Sequence, residues 1–151
     1  AFEYSGQHYR LRPTTFRPPP IQLPRIPIWV AGRWPHKRPT QRMAQWDGMF
    51  PLFGESASPA EQQARLRQMV MDVQSQRAVS LGKDAQRPFD VVVSGETPAS
   101  RPDEAEEIIA GNAAAGATWW LESLDPKSSS GAEWSSDQLR ARVLAGPLGR
   151  N

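Results

Sequence analysis

Short apolar runs alternate with amphipathic helical patterns from residue 26 onward, and this alternation constrains the fold more than any other feature of the chain. The apolar runs at 28–31, 48–52, 89–93 and 118–121 each have the length of one buried strand. Strands that alternate with helices are typical of an α/β protein with a parallel sheet. The sequence therefore predicts four parallel strands, side by side in chain order, with helices on one face.

Several residues mark where the helices begin and end. The run 58–61 (Ser-Pro-Ala-Glu) combines a capping box with proline at the first helical position. Gly116 is predicted to end a later helix, and Ser135 with Gln138 to begin the last one. The short helix between the first two strands is predicted at 40–46, with Thr40 as its cap. The helix after residue 58 repeats apolar residues at the spacing of one buried stripe: Leu66, Met69, Val70 and Val73.

Residues 1–25 carry no helical or strand period and are rich in proline. The triplet at 18–20 and the prolines at 24 and 27 favour extended backbone geometry. We therefore expect two parts in the chain. Residues 1–25 form a long extended loop that lies across a surface, and residues 26–151 form the α/β domain.

Charge is divided unevenly between the two ends of the chain. Residues 1–46 hold eight Lys and Arg against Glu3 alone, and residues 47–151 hold ten against fifteen acidic side chains. The local net charges of +7 and −5 sum to the net +2 of the 151 residues. A basic N-terminal part is compatible with binding of nucleic acid or of a phosphorylated small molecule, and also with a solvated surface that binds no partner. Interleaved exposed aromatics and nucleic-acid motifs are missing, so no nucleic-acid partner is expected.

Composition excludes further classes of site. The chain has no cysteine, which rules out disulfides and thiolate metal sites. No stretch approaches the ~20 apolar residues that cross a membrane, and no basic-then-apolar leader opens the sequence. We therefore expect a cytoplasmic protein with no membrane partner and no bound metal.

The loop after the first strand of the domain has the residues that an anion site needs. Gly32 gives backbone amides access to an anion, Arg33 and Lys37 add positive charge, and the following helix points its positive end at the loop. A plain solvated loop is the alternative for these charges. His36 is either a phosphate contact or proton donor, or an ordinary surface histidine.

Four motifs in fixed order carry a resemblance to a known family. They are YSGQHY at 4–9, IPIWVAG at 26–32, AQWDGMFP at 44–51 and GATWWLE at 116–122, with a proline-rich approach between the first two. In this order and spacing they closely resemble the second half of the luciferase-like monooxygenases, a superfamily of flavin- and deazaflavin-dependent oxidoreductases. The likeness covers nearly the whole chain.

The resemblance implies an eight-stranded (β/α) barrel, the TIM barrel, of which residues 26–151 would be the C-terminal half with its last four βα units. It implies an oxidoreductase or monooxygenase that uses FMN or the deazaflavin coenzyme F-420, with NAD(P)H as reductant and a small organic molecule as substrate. The first half-barrel is missing here. We therefore expect this half alone to be inactive, and to bind the missing N-terminal half or to self-associate.

The resemblance also assigns site residues. In the family, the loop after the IPIWVAG strand helps to hold the cofactor phosphate, and a small residue is more usual where Arg33 stands. The cofactor-binding residues that this implies are Ala31, Gly32, Arg33, Trp34, His36 and Lys37.

Other residues receive weaker assignments. Glu122 follows the last strand at the end where barrel active sites lie, so it either contacts substrate or caps the loop to Leu124. Trp119 and Trp120 must point to opposite faces of their strand. Paired carboxylates and Ser-His-Asp sets are missing, so the catalytic residues stay unassigned, as suits chemistry carried by a cofactor. The alternative function is a non-catalytic half-barrel that binds a phosphorylated ligand or serves in assembly.

Overall fold

The computed structural model describes residues 1–53, 58–98, 100–124 and 135–145 of the chain. These residues form six strands, four α-helices and one 3-10 helix. Their order is β1 (Phe2–Ser5), β2 (Arg10–Thr14), β3 (Trp29–Gly32), α1 (Lys37–Gln45), β4 (Gly48–Pro51), α2 (Pro59–Leu81), the 3-10 helix (Gly82–Gln86), β5 (Asp90–Gly95), α3 (Pro102–Ala114), β6 (Trp119–Glu122) and α4 (Ser136–Ala145).

The main sheet confirms the predicted α/β architecture. Its strands lie in the order β3-β4-β5-β6, and each neighbouring pair is parallel. The predicted strand positions differ from the observed bounds by one or two residues. The carboxyl ends of parallel strands all lie at the same end of the sheet, so the loops after β3, β4, β5 and β6 meet there. We call this end the carboxyl-end edge of the sheet.

One face of the sheet packs against helices. Val30, Met49 and Val91 are register partners on adjacent strands, and all three are buried. They share one apolar cluster with residues of α1 and α2 and with the residue that follows α3, namely Met43, Ala44, Leu66, Met69, Val73 and Ala115. The predicted stripe of α2 therefore faces the sheet. The capping box predicted at Ser58 and Glu61 is also present.

The opposite face, which we call the open face, carries exposed aromatic side chains. Strand alternation places Trp29, Asp90, Trp119 and Leu121 there. The two indole N–H groups both donate to the Asp90 carboxylate, at 2.9 and 3.0 Å, and the Trp29 and Trp119 rings lie 5.7 Å apart. Trp120 instead packs against the helix-side core, which confirms that the two neighbouring tryptophans point to opposite faces.

Two local features differ from the sequence prediction. Helix α1 begins at Lys37 with His36 as its N-cap, and Thr40 lies in the first turn, where its hydroxyl donates to the His36 carbonyl. Pro39 fits there because the first helical amides need no partner inside the helix. Residues 2–14 also form an antiparallel pair, β1 with β2, inside the segment expected to be a loop. Every residue of these two strands is exposed, so burial imposes no strand period on their sequence.

Asp47 organises the entry into the sheet. Its carboxylate accepts two hydrogen bonds from the Arg25 guanidinium and one from the Ile28 amide, the last at 2.7 Å. The Arg25 hydrogen bond is the main cause that lowers the pKa of Asp47 from its usual range. The proline-rich segment is thereby fixed to the start of β4.

None of the helices in the described ranges combines the length and the apolar character that crossing a bilayer requires.

Candidate anion-binding site

A cavity of about 240 Å³ opens where the loops after β3 and β4 meet the first half of α2. It lies at the carboxyl-end edge of the sheet, where ligands of parallel α/β proteins bind. Its lining residues are Arg33, Trp34, His36, Leu52, Phe53, Arg65 and Met69. Three of the predicted cofactor-binding residues, Arg33, Trp34 and His36, are thus brought together.

Trp34 fixes the course of the loop after β3. Its ring packs against the apolar core, and its indole N–H donates to Asp72 of α2 at 2.6 Å. The Leu52 amide also donates to the Gly32 carbonyl at 2.9 Å, which joins the ends of β3 and β4. With Trp34 held inward, the neighbouring Arg33 stays exposed at the mouth of the cavity.

His36 places the start of a helix beside the cavity. It is the N-cap of the nine-residue α1, whose first turn contains no acidic residue. Thr40 is the first residue whose amide bonds back to the His36 carbonyl, at 3.3 Å. The amides of Lys37 and Arg38 precede that bond and are the kind of donors that helix starts offer to anions.

Arg65 is a lining residue that the sequence analysis did not identify. It lies on α2, one helical turn before Met69, so both side chains face the cavity. The apolar stripe of α2 predicted only a packing helix. A useful signal was available, because the first turns of a helix that follows a parallel strand lie at the binding edge of the sheet, and Arg65 stands there beside the buried stripe.

The lining combines positive charge with an apolar floor. Two guanidinium groups and an imidazole stand against Leu52, Phe53 and Met69, and no acidic residue is among the seven lining residues. Guanidinium binds phosphate through two parallel hydrogen bonds. The volume is below the ~300–1,000 Å³ of pockets that enclose a whole drug-sized ligand. The cavity therefore suits the phosphate end of a larger molecule.

Gly32 has a packing role in this structure. It is buried, and a Cβ there would lie 2.5 Å from Met43 Cε and 2.7 Å from Pro39 Cβ. The missing side chain lets α1 close onto β3, and this explains the glycine without an anion. Ala31 and Lys37, the other predicted contacts, are exposed and do not line the cavity.

Glu122 lies away from the cavity and is held by hydrogen bonds. Its carboxylate accepts from the Thr97 amide at 2.7 Å, from the Thr97 hydroxyl at 2.9 Å and from the Trp120 indole at 2.9 Å, and it pairs with Arg142 at 3.4 Å. It therefore holds the loop after β5 and helix α4 to the end of β6. Three strand spacings, roughly 14 Å, separate β6 from β3. Substrate contact by Glu122 stays a prediction.

Comparison of the chain with models of protein families, with curated proteins and with solved structures found no match to any of them. The resemblance to the luciferase-like monooxygenases accordingly stays a prediction from the motifs. In the described part of the chain, no group of three or more His, Asp or Glu residues is placed to hold a metal ion.

Proposed function

We propose that this chain is the C-terminal half of a luciferase-like, flavin- or deazaflavin-dependent oxidoreductase barrel, and that its cavity binds the phosphate of FMN or coenzyme F-420. One observation carries the proposal. Arg33, Trp34 and His36, which the family resemblance selected, line one basic cavity at the carboxyl ends of parallel strands. When bound, such a cofactor supplies the hydride transfer or oxygen activation, and this half of the barrel supplies binding and orientation.

Each part of the cavity has a distinct task in this proposal. Arg33 and Arg65 bind the phosphate oxygens, and the amides at the start of α1 add uncharged donors. Leu52 and Phe53 would supply the apolar side of the site beside the phosphate. Trp34 keeps the loop in place through Asp72, so that Arg33 needs little ordering when the ligand arrives.

A non-catalytic module that binds a phosphorylated ligand is the second candidate function. It is favoured by the state of Glu122, the carboxylate assigned to substrate contact, which is engaged by Thr97, Trp120 and Arg142. Both functions require the same phosphate site. They differ in whether a first half-barrel, a reductant such as NAD(P)H and a small organic substrate also take part.

The test compares phosphorylated and unphosphorylated ligands. The lining residues all belong to this chain, so FMN, F-420, riboflavin and inorganic phosphate are titrated calorimetrically into the purified 151-residue protein. Arg33→Ala and Arg65→Ala should each weaken FMN or F-420 binding by about 10- to 100-fold, because a charge-assisted hydrogen bond contributes ~1.5–3 kcal/mol. Riboflavin, which lacks the phosphate, should bind all variants equally.

Arg67→Ala is the matched control. Arg67 is exposed on the same helix, two positions after Arg65, and does not line the cavity. Its loss removes the same charge without touching the site, so phosphate affinity should stay near the wild-type value. Equal losses for Arg65 and Arg67 would mean that the effect is only general electrostatics. Failure of every phosphorylated ligand to bind would refute the site.

A further inference from the structure

The first 28 residues, which we call the N-terminal arm, expose apolar side chains that a monomer has no reason to expose. All arm residues except Gly6 are exposed, including both strands of the β1–β2 pair. Phe16, Ile21 and Leu23 are 78%, 99% and 89% exposed. Scattered exposed apolar residues are normal in proteins, but a run of this kind marks an interaction surface.

The end of the arm is tied to the domain just before β3. Arg25 and the Ile28 amide are both bound to Asp47, and the Arg25 guanidinium also lies 5.2 Å from the centre of the Trp46 ring. This clamp is only a few residues before Trp29, the first residue of the open face. In this structure the arm does not cover its own open face, because Trp29, Trp119 and Leu121 and nearly all arm residues are exposed.

The open face has the complementary character. Trp29, Trp119 and Leu121 are 37%, 49% and 37% exposed. The two tryptophan indoles donate to the Asp90 carboxylate. Parallel sheets almost always have both faces covered, so this face also requires a partner. It offers apolar rings and one negative charge, whereas the arm offers apolar side chains and arginines.

We propose that the N-terminal arm of one copy docks on the open face of a second copy, which gives an arm-exchanged dimer. This inference goes beyond the proposed function, and it uses none of the seven residues that line the phosphate cavity. Charge supports the pairing: Arg10, Arg12 and Arg17 are exposed on the arm, and Glu3 is its one acidic residue. The reach is sufficient, since residues 15–26 extend up to about 40 Å against a sheet roughly 14 Å wide.

Exchange makes a prediction that other dimers do not. The arm variant carries Ile21→Glu with Leu23→Glu, and the face variant carries Leu121→Glu. An arm-exchanged dimer contains two contacts between an arm and a face. A dimer of either variant alone loses both contacts, so its dissociation constant should rise by about tenfold or more. When the two are mixed, the intact arm of one meets the intact face of the other. Sedimentation velocity at micromolar concentration should then detect dimer that neither variant forms alone.

Val79→Glu is the matched control, because Val79 is 83% exposed on α2 and belongs to neither surface. It should dimerise like the wild type. The chain has no native cysteine, so Leu23→Cys mixed with Leu121→Cys gives a second readout, a disulfide that joins two different copies. Circular dichroism verifies that each variant is folded.

Three results would overturn the proposal. The first is that the wild-type chain sediments as a 16.8 kDa monomer, which would leave the open face to another occupant such as a first half-barrel. Alternatively, a dimer forms that neither variant weakens, or the mixture associates no better than its components. FMN affinity is measured on the same samples and should not change with the arm or face substitutions, so a failure of this inference is distinct from a failure of the phosphate site.

Discussion

Replacement of Arg77 by methionine should strongly destabilise the protein, although Arg77 touches no proposed ligand site. Arg77 is 2% exposed on α2, and its guanidinium donates to the Ala44 and Trp46 carbonyls at 3.2 and 2.9 Å. These carbonyls lie at the end of α1, where helices lack internal partners. The guanidinium also lies 4.2 Å from the centre of the Phe89 ring. One side chain thus joins α2, the end of α1 and the approach to β5.

The magnitude follows from what Arg77→Met leaves behind. Methionine keeps much of the apolar stem but leaves the buried Ala44 carbonyl and the part-buried Trp46 carbonyl without this donor. An unpaired buried acceptor costs ~1–3 kcal/mol. Against this, the variant no longer buries a charge, and burial is the main cause that lowers the pKa of Arg77. The two effects together give an expected loss of about 3 kcal/mol in the free energy of unfolding. Arg77→Lys keeps a charged donor but loses the planar guanidinium and its reach, and should lose roughly half as much.

Urea denaturation followed by tryptophan fluorescence measures both variants, and the chain has six tryptophans as probes. Arg67→Met on the same helix is the control; it changes an exposed residue and should stay within about 0.5 kcal/mol of the wild type. If Arg77→Met falls within about 1 kcal/mol of the wild type at an unchanged m-value, the guanidinium does not hold the end of α1.

Two further predictions concern the entry to the sheet and the packing of α1. The pKa of Asp47 is lower in the folded protein than in the unfolded chain. The Asp47 carboxylate therefore contributes its full stabilisation above the usual carboxyl pKa of about 3.9, and this stabilisation is lost as the pH falls through the lower pKa of the folded protein. Asp47→Asn should therefore be less stable than the wild type at neutral pH, with a gap that closes under strong acid; a constant gap in denaturation midpoints across this range would contradict the ion-pair account. Gly32→Ala should destabilise by about 1–3 kcal/mol, because its Cβ would crowd Met43 and Pro39. Thermal melts should show this loss. The control Ala31→Ser changes the exposed neighbour of Gly32 and should melt near the wild-type temperature. An unchanged melting temperature for Gly32→Ala would show that α1 can move aside freely.

The sequence predicted the main sheet well because its strands are buried on one face and bounded by clear helix signals. Short apolar runs identified β3 to β6, and the capping residues Ser58 and Ser135 identified two helix starts within one or two residues. Gly116 ends α3 with a positive φ of 105°, as the glycine predicted. These features are local, so neighbouring residues alone were enough to reveal them.

The features that the sequence did not reveal depend on distant contacts or on no burial at all. The β1–β2 pair is exposed on both sides, so its strands show no period that burial would impose. Arg65 stands in the first turns of α2, which is compatible with a place at the binding edge, but only the packing of α2 beside the loop after β3 selects it as a lining residue. Glu122 was assigned by its position at the end of β6, but its partners Thr97 and Arg142 lie 25 and 20 residues away in the sequence.

The Glu122 carboxylate also has a consequence for how the carboxyl-end edge of the sheet opens. Three segments converge on it: the loop after β5 through Thr97, the end of β6 through Trp120, and α4 through the buried Arg142. Segments that share one acceptor lose order together, because release of any one weakens the bonds of the other two. Amide hydrogen exchange at Thr97 should therefore report the undocking of α4 as a single cooperative event, and this corner of the molecule behaves as one unit of local unfolding.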